Sequence, residues 1–349
     1  MAGHFQIDEN LIPSLEGKTA IVTGGSSGIG LSTSLLLSHK GCTKVFIFDL
    51  VEPECPLPPS VHFLRVDVSK WEQLRAAFDS ITHVDIAFAN AGVQEESSFF
   101  VDTYDEKGRL KAPDCKEVID TNIRGTLSFV KLAWSAMRRS RSVEGGSIVI
   151  TTGMEGYLGS GMGCVYAASK AALIGLVRSL RSIMPQDGIT INAVAPGPTV
   201  TGKIFPQHLA TPLLKLGVPV NSADAVALAM VYSATARQKR RVEAYGKEKE
   251  GDIYQAAVGM ERWNGRIIMV QGETYVEVEE SLSDLRPFWM GRENLGWVRM
   301  GQAACDFRPF PAEGAGEGTG GRRYEYPSWG DEGRVVFAGD LYSAAVDEV

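Results

Sequence analysis

Between Gly17 and about Gly272, short runs rich in β-branched residues alternate with stretches whose apolar positions recur every three or four residues. The runs at 19–22, 44–48, 62–66, 84–89, 147–151, 190–194 and 266–270 read as strands, and 29–39, 70–81, 115–140, 165–184 and 223–235 as helices. Strands that alternate with helices announce crossover units, so the pattern predicts an α/β fold of three layers around a doubly wound, seven-stranded parallel sheet. Two segments break the rhythm: 94–113, polar and acidic, and 196–221, rich in proline with apolar patches. Each follows the carboxyl end of a strand, where open α/β sheets place their ligands, so both are expected to be substrate loops. The pattern fades after Asp284, and 307–323 is dense in Gly and Pro. Residues 1–291 therefore read as the core domain and 292–349 as a partly irregular C-terminal extension.

Composition narrows the classes of function. A formal charge of -7 and a pI near 5.4 argue against nucleic acid as a partner. The five cysteines, Cys42, Cys55, Cys115, Cys164 and Cys305, share no close paired spacing, so neither a metal site nor a disulfide framework is indicated. The first eighteen residues lack an apolar leader core and no later segment is long and apolar enough for a membrane span, so a soluble cytoplasmic protein is expected.

Candidate chemistry begins at the end of the first strand. There Thr23-Gly24-Gly25-Ser26-Ser27-Gly28-Ile29-Gly30 leads into an apolar helix. Gly24 suits a tight turn, Gly28 a close approach of backbone to a pyrophosphate, and Gly30 close helix packing, which together make the sheet a Rossmann fold. Asp49 closes the second strand, nineteen residues past Gly30, where a carboxylate can accept hydrogen bonds from an adenosine ribose. A ribose phosphate would be repelled there, and no Arg or Lys immediately follows, so NAD is expected over NADP, with NADP the alternative. Tyr166 and Lys170 stand at i and i+4 early in a helix, on one face. A nearby ammonium favours the phenolate, so the tyrosine is expected to have a lowered pKa and to act as acid and base.

Taken together and in order, these residues resemble the short-chain dehydrogenase/reductase family over roughly 17–280. The family's adenine-side element appears as Asp67-Val68, its Asn-Ala-Gly element as Asn90-Ala91-Gly92, its helix asparagine as Asn122, and its nicotinamide-side loop as Pro196-Gly197 with Thr201. Segment 263–266 and the acidic Asp49 are weakly similar to the hydroxyprostaglandin-dehydrogenase-like branch. The resemblance implies that Gly24, Ser26, Ser27, Gly28, Ile29 and Gly30 cradle the dinucleotide, Tyr166 exchanges a proton with the substrate, and Lys170 binds the nicotinamide ribose. It also implies that Asn122 holds a relay water, Thr201 and the Pro196 backbone fix the carboxamide, and helices 115–140 and 165–184 pair copies into a homodimer or homotetramer.

One position departs from the family. A serine is normal thirteen residues before the tyrosine, where it hydrogen-bonds the reacting oxygen, and here Gly153 stands there. A missing oxyanion donor costs about 3 kcal/mol of transition-state stabilisation. Thr152 or a water is one candidate replacement, and a donor on the substrate is another. The third is a reaction needing no donor, which keeps open a redox-neutral isomerase or cyclase and a non-catalytic dinucleotide-binding protein. Leucine-rich 205–216 and the open run of Gly159, Gly161 and Gly163 around Met162 favour a bulky hydrophobic substrate, a natural-product-like secondary alcohol or ketone. His62, His83 and His208, without partners at ligand spacing, read as structural or solvated.

Overall fold

The computed structural model describes residues 4–95, 98–140, 145–161, 163–201, 205, 207–239, 242–243 and 260–304. Along these residues the strands are β1 (His4–Phe5), β2 (Thr19–Thr23), β3 (Lys44–Asp49), β4 (Val61–Arg65), β5 (Ile86–Ala89), β6 (Gly146–Thr151), β7 (Ile189–Pro196), β8 (Arg237–Gln238), β9 (Glu261–Arg262), β10 (Ile267–Gln271) and β11 (Thr274–Glu277). The main sheet runs β1-β11-β10-β7-β6-β5-β2-β3-β4. All pairings from β10 to β4 are parallel, which gives the seven parallel strands that the pattern predicts.

The other two strands pair antiparallel at one edge. Between β10 and β11 the chain turns on two residues, Gly272 and Glu273, both with positive φ, the geometry that matches the twist of a tight hairpin. The strand order reverses between β2 and β5, so the carboxyl ends of these strands flank the crevice where doubly wound sheets take ligands.

Strands β2, β6 and β7 are buried along their whole length, as a sheet covered on both faces requires. On one side Leu37, Val226 and Met230 join a core with strand residues Ala20 and Val22; on the other, Phe78, Phe129, Leu173 and Val177 do so with Ile21 and Ile148. Each fully buried side chain of this size contributes about 1.5–3 kcal/mol relative to exposure.

Helix Ala223–Thr235 falls where the periodicity puts it, and Ser222 caps it by accepting from the Ala225 N–H at 3.1 Å. Stretch 115–140 is less regular than its pattern suggests. A π-helical turn, Ile119–Gly125, interrupts it before the helix Thr126–Ser140. The helix expected over 165–184 runs Cys164–Leu180 and is followed by the 3-10 turn Met184–Asp187, which begins with Pro185 near its start.

Within loop 196–221 lies a helix, Gln207–Lys215, of which only Ala210 is buried; Leu209, Leu214 and Leu216 are exposed. The first compact unit spans Met1–Asp306 and so includes the helix Arg292–Ala304, whose Leu295 is buried. Met162, Cys305 and the remainder of the expected extension lie outside the described residues. No helix among the described residues is long and apolar enough to cross a membrane.

Behind the last parallel strand, one carboxylate gathers several partners. Glu279, 2% exposed, accepts from Nε and Nη2 of Arg178, from Nη1 of Arg181, and from the Tyr157 hydroxyl at 2.7 Å. Arg181 also pairs with Glu243, which in turn takes Arg286. The network ties the helix Cys164–Leu180 to residues a hundred positions further along the chain.

Candidate active site

The glycine turn is shaped by contacts that exclude side chains. A Cβ on Gly30 would lie 2.1 Å from the Gly24 carbonyl oxygen, so the helix Gly28–His39 starts directly against the turn. Gly28 has φ +49, and a Cβ there would stand 2.7 Å from Cβ of Thr201, so the loop after β7 reaches the turn itself. Asn90 is spent on holding this geometry. Its Nδ2 donates to the carbonyls of Thr23 and Gly24 at 3.1 and 3.2 Å, and its Oδ1 accepts from the Thr151 hydroxyl at 3.0 Å. The Ala91 N–H donates to Thr23 Oγ1 at 3.0 Å.

At the end of β3, Asp49 accepts the N–H of Ser26 at 3.0 Å and that of Leu50 at 2.7 Å, which locks the carboxylate beside the turn. Asp67 turns one oxygen onto the N–H and hydroxyl of Ser69, while Val68 is buried. Ser27 stands at the helix N-cap in extended conformation without a side-chain cap bond, and Ile29 follows in the first turn. Ser26 Oγ is buried with no hydrogen-bond partner. An orphaned hydroxyl in a glycine cradle at a helix N-terminus is what a phosphate oxygen would satisfy, so the residues present fit a dinucleotide.

On the opposite lip, Gly197 donates its N–H to the Val270 carbonyl at 2.8 Å, and the Pro196 carbonyl accepts from Met154 at 3.0 Å. Asn221 binds the carbonyls of Gly197 and Val270 as well as Thr199, so the loop is braced from beneath. Thr201 donates its N–H to the Phe205 carbonyl at 3.2 Å, and its Oγ1 accepts the Phe205 N–H at 3.4 Å.

Tyr166 and Lys170 do share one face. The Lys170 ammonium lies 5.2 Å from the centroid of the Tyr166 ring and donates to the Thr151 carbonyl at 3.0 Å. It is 4% exposed, and burial pulls its pKa down to about 8, with the charge of Glu155 opposing. The expected lowering of the tyrosine pKa is corrected here: burial, and then the negative charge of Glu155, push the Tyr166 phenol well above its ordinary range.

Asn122, fully buried in the π-helical turn, receives the Val93 N–H at 2.8 Å and donates to the Val93 carbonyl and to Ser169 Oγ. A Cβ on Gly92 would meet Asn122 Oδ1 at 3.3 Å and Lys170 Nζ at 3.6 Å, so these groups converge on the space that Gly92 leaves.

Thr152 does not supply the donor missing at Gly153. Its hydroxyl donates to the Val194 carbonyl at 3.0 Å, which commits its proton to the neighbouring strand. The space belongs to a residue that the sequence reading passed over: a Cβ on Gly153 would stand 2.7 Å from Oε2 of Glu155. Glu95 was missed too. Its carboxylate accepts the N–H groups of Val165 and Tyr166, at 3.4 and 2.7 Å, at the start of the helix Cys164–Leu180. A lone acidic residue in a polar loop carries no local signal for either role.

Fold and site together define a Rossmann-type oxidoreductase. The chain belongs to the short-chain dehydrogenase/reductase family: the model of the short chain dehydrogenases matches residues 18–206. It is 48% identical over 305 residues to the short-chain dehydrogenase/reductase prx4 of Penicillium roqueforti, covering 87% of this chain and 89% of the relative. To the short-chain dehydrogenase/reductase ATR7 of Stachybotrys chlorohalonatus it is 49% identical over 310 residues, or 86% and 93% of the two chains. A solved NADH-dependent reductase, A1-R', complexed with NAD, shares the fold at 24% identity with a TM-score of 0.54, over 76% of this chain and 97% of that one.

Proposed function

We propose that the protein is an NAD(H)-dependent oxidoreductase that interconverts a secondary alcohol and a ketone on a hydrophobic, natural-product-like substrate. The observation that carries this reading is the buried Lys170 ammonium beneath the Tyr166 ring. Among the described residues its one hydrogen bond goes to Thr151, and its remaining donors face the space left by Gly92. Maintaining a desolvated cation is costly, so a site that keeps one has a use for its free N–H groups.

Bound in the crevice, the dinucleotide supplies a hydride acceptor or donor. Lys170 offers N–H groups to its ribose, Ser26 Oγ and the backbone of the glycine turn take a phosphate, and Asp49 takes the adenosine ribose hydroxyls. Tyr166 holds the substrate oxygen, and Asn122 keeps the Gly92–Val93 backbone against the catalytic helix. An adenosine-side phosphate would meet the Asp49 carboxylate, which supports NAD over NADP.

Exposed apolar side chains follow three strand ends: Phe100 and Val101 after β5, Leu158 after β6, and Leu209, Leu214 and Leu216 after β7. Such a rim at the carboxyl edge of the sheet suits an apolar substrate. Titration with NADH, followed by loss of nicotinamide absorbance across a panel of ketones, tests the reading. Tight binding with turnover of apolar cyclic ketones is expected, and binding without any turnover would overturn it.

A further inference from the structure

Gly153 removes a side chain beside Tyr166 and Lys170, and a carboxylate takes up the space. Oε2 of Glu155 lies 2.7 Å from where a Cβ on Gly153 would be, with Cγ of Lys170 at 3.4 Å from the same point. The acid therefore stands against the stem of the lysine whose ammonium lies under the Tyr166 ring. Glu155 is half-buried, and among the described residues its side chain has no hydrogen-bond partner. Its neighbours on the same turn are already committed, Thr152 to the Val194 carbonyl and Tyr157 to Glu279. An ionised carboxylate accepts hydrogen bonds and gives none. A ligand that displaces water from it must bring a donor or leave a charge unpaired.

We propose that Glu155 is a specificity-determining residue that accepts a hydrogen bond from a second hydroxyl of the substrate, on the carbon next to the reacting one. The enzyme then takes vicinal diols and, in the reverse direction, α-hydroxyketones. The inference rests on the alcohol–ketone reading above and leaves the proton exchange with Tyr166. In oxidation the reacting O–H proton is taken up at the Tyr166 phenolate oxygen, and the carbinol C–H leaves with its electron pair as hydride to the oxidised nicotinamide dinucleotide. The C–O bond becomes C=O, while the neighbouring hydroxyl keeps its proton, held by Glu155.

Adjacent carbons are called for because the two groups that receive the oxygens, the Tyr166 hydroxyl and the Glu155 carboxylate, flank one lysine side chain. A single alcohol would set its reacting oxygen, as charge develops, beside a carboxylate with no proton between them. An ammonium would suit the carboxylate but would be brought up to the buried Lys170 charge, so a neutral hydroxyl is the better match.

Matched pairs of apolar cyclic alcohols test this on the intact protein. Each secondary alcohol is set against its vicinal diol in both diastereomers, from mono- to tetracyclic, with 1-tetralol and tetralin-1,2-diol among them. The first readout is binding without turnover, by calorimetric titration of the NADH-bound protein with each alcohol. An apolar pocket alone favours the single alcohol, because the extra hydroxyl must be desolvated. The reverse is expected here, with the diol bound about 10-fold or more tighter, the scale of a hydrogen bond to a charged group. The second readout is kcat/KM with NAD, in which the same order is expected. Glu155→Gln keeps the shape and loses the charge, and should cut both ratios about 5-fold, the difference between a charged and a neutral acceptor.

A single alcohol bound and oxidised as well as its diol overturns this inference and leaves the proposed function standing. So does a ratio that Glu155→Gln leaves unmoved, or a preference for the corresponding vicinal amino alcohol over the diol. A wild type that binds NADH but oxidises no member of the panel overturns the proposed function and this inference with it.

Discussion

The carboxylate of Glu95 receives the backbone N–H of Tyr166 at 2.7 Å, so a residue of the polar loop after β5 caps the helix that carries Tyr166 and Lys170. Helix N-termini gather unpaired N–H groups and a positive dipole end, and a carboxylate satisfies both. Glu95→Ala is expected to lower stability by about 1 kcal/mol, the usual loss for a helix cap, and to lower kcat as Tyr166 loosens. Thermal melts and turnover of the same preparation check it, and an unchanged melt would exclude the capping role.

Lys170 gives a pH dependence of definite sign. Its pKa is about 8 in the folded protein against 10.5 when unfolded. Below pH 8 both states hold the proton, and the folded state bears the full penalty of the buried charge. Between about 8 and 10.5 the unfolded chain binds more protons, so stability gained from this residue rises with pH. Cys42, raised to about 11, works in the opposite sense over a similar range, so the difference between wild type and a Lys170 variant is the quantity to measure. Lys170→Met is expected to stabilise the cofactor-free protein at pH 7 by about 2 kcal/mol, the penalty of about 3 less about 1 for the lost hydrogen bond. Its advantage should shrink by pH 10, and oxidoreductase activity should be lost. Urea melts at the two pH values decide it.

Asp49 is fixed by two backbone N–H groups, so its charge is presented in one orientation. Asp49→Ala is expected to weaken NAD binding about 10-fold and to leave NADP binding unchanged or improved, which narrows the preference. Calorimetric titration with both dinucleotides checks it; equal weakening of the two would remove Asp49 as the discriminating residue.

At Gly153 an added side chain meets the far end of Glu155 rather than backbone. Gly153→Ser should therefore fold normally, displace the Glu155 carboxylate and lower kcat/KM for alcohol oxidation by about 10-fold through crowding, about 1.4 kcal/mol and so within the usual cost of overpacking. A clear gain in turnover on a simple secondary alcohol would instead mark the hydroxyl as the missing group.

Much of this architecture was legible in the chain. The seven parallel strands follow from runs that must be apolar on both faces, and helix Ala223–Thr235 carries its own cap in Ser222. The π-helical turn around Asn122 was not legible, because a single wider turn leaves the apolar spacing on either side intact. Adjacency in sequence misled at Thr152: neighbouring residues at a strand end point to opposite sides, and its hydroxyl is used by β7. Glu155 was hidden for the converse reason. A tight turn folds a residue two positions on back over the glycine, which only the three-dimensional path reveals.

The Glu279 cluster has a consequence for how the enzyme comes into being. The family model's match ends at residue 206, yet Arg178 and Arg181, on and just beyond the helix Cys164–Leu180, share a counter-charge at residue 279. A chain emerging from the ribosome can lay down its nucleotide-binding half early. Arg181 and Glu279 are 98 residues apart, so the helix that carries Tyr166 and Lys170 gains this clamp only after about a hundred further residues have been made.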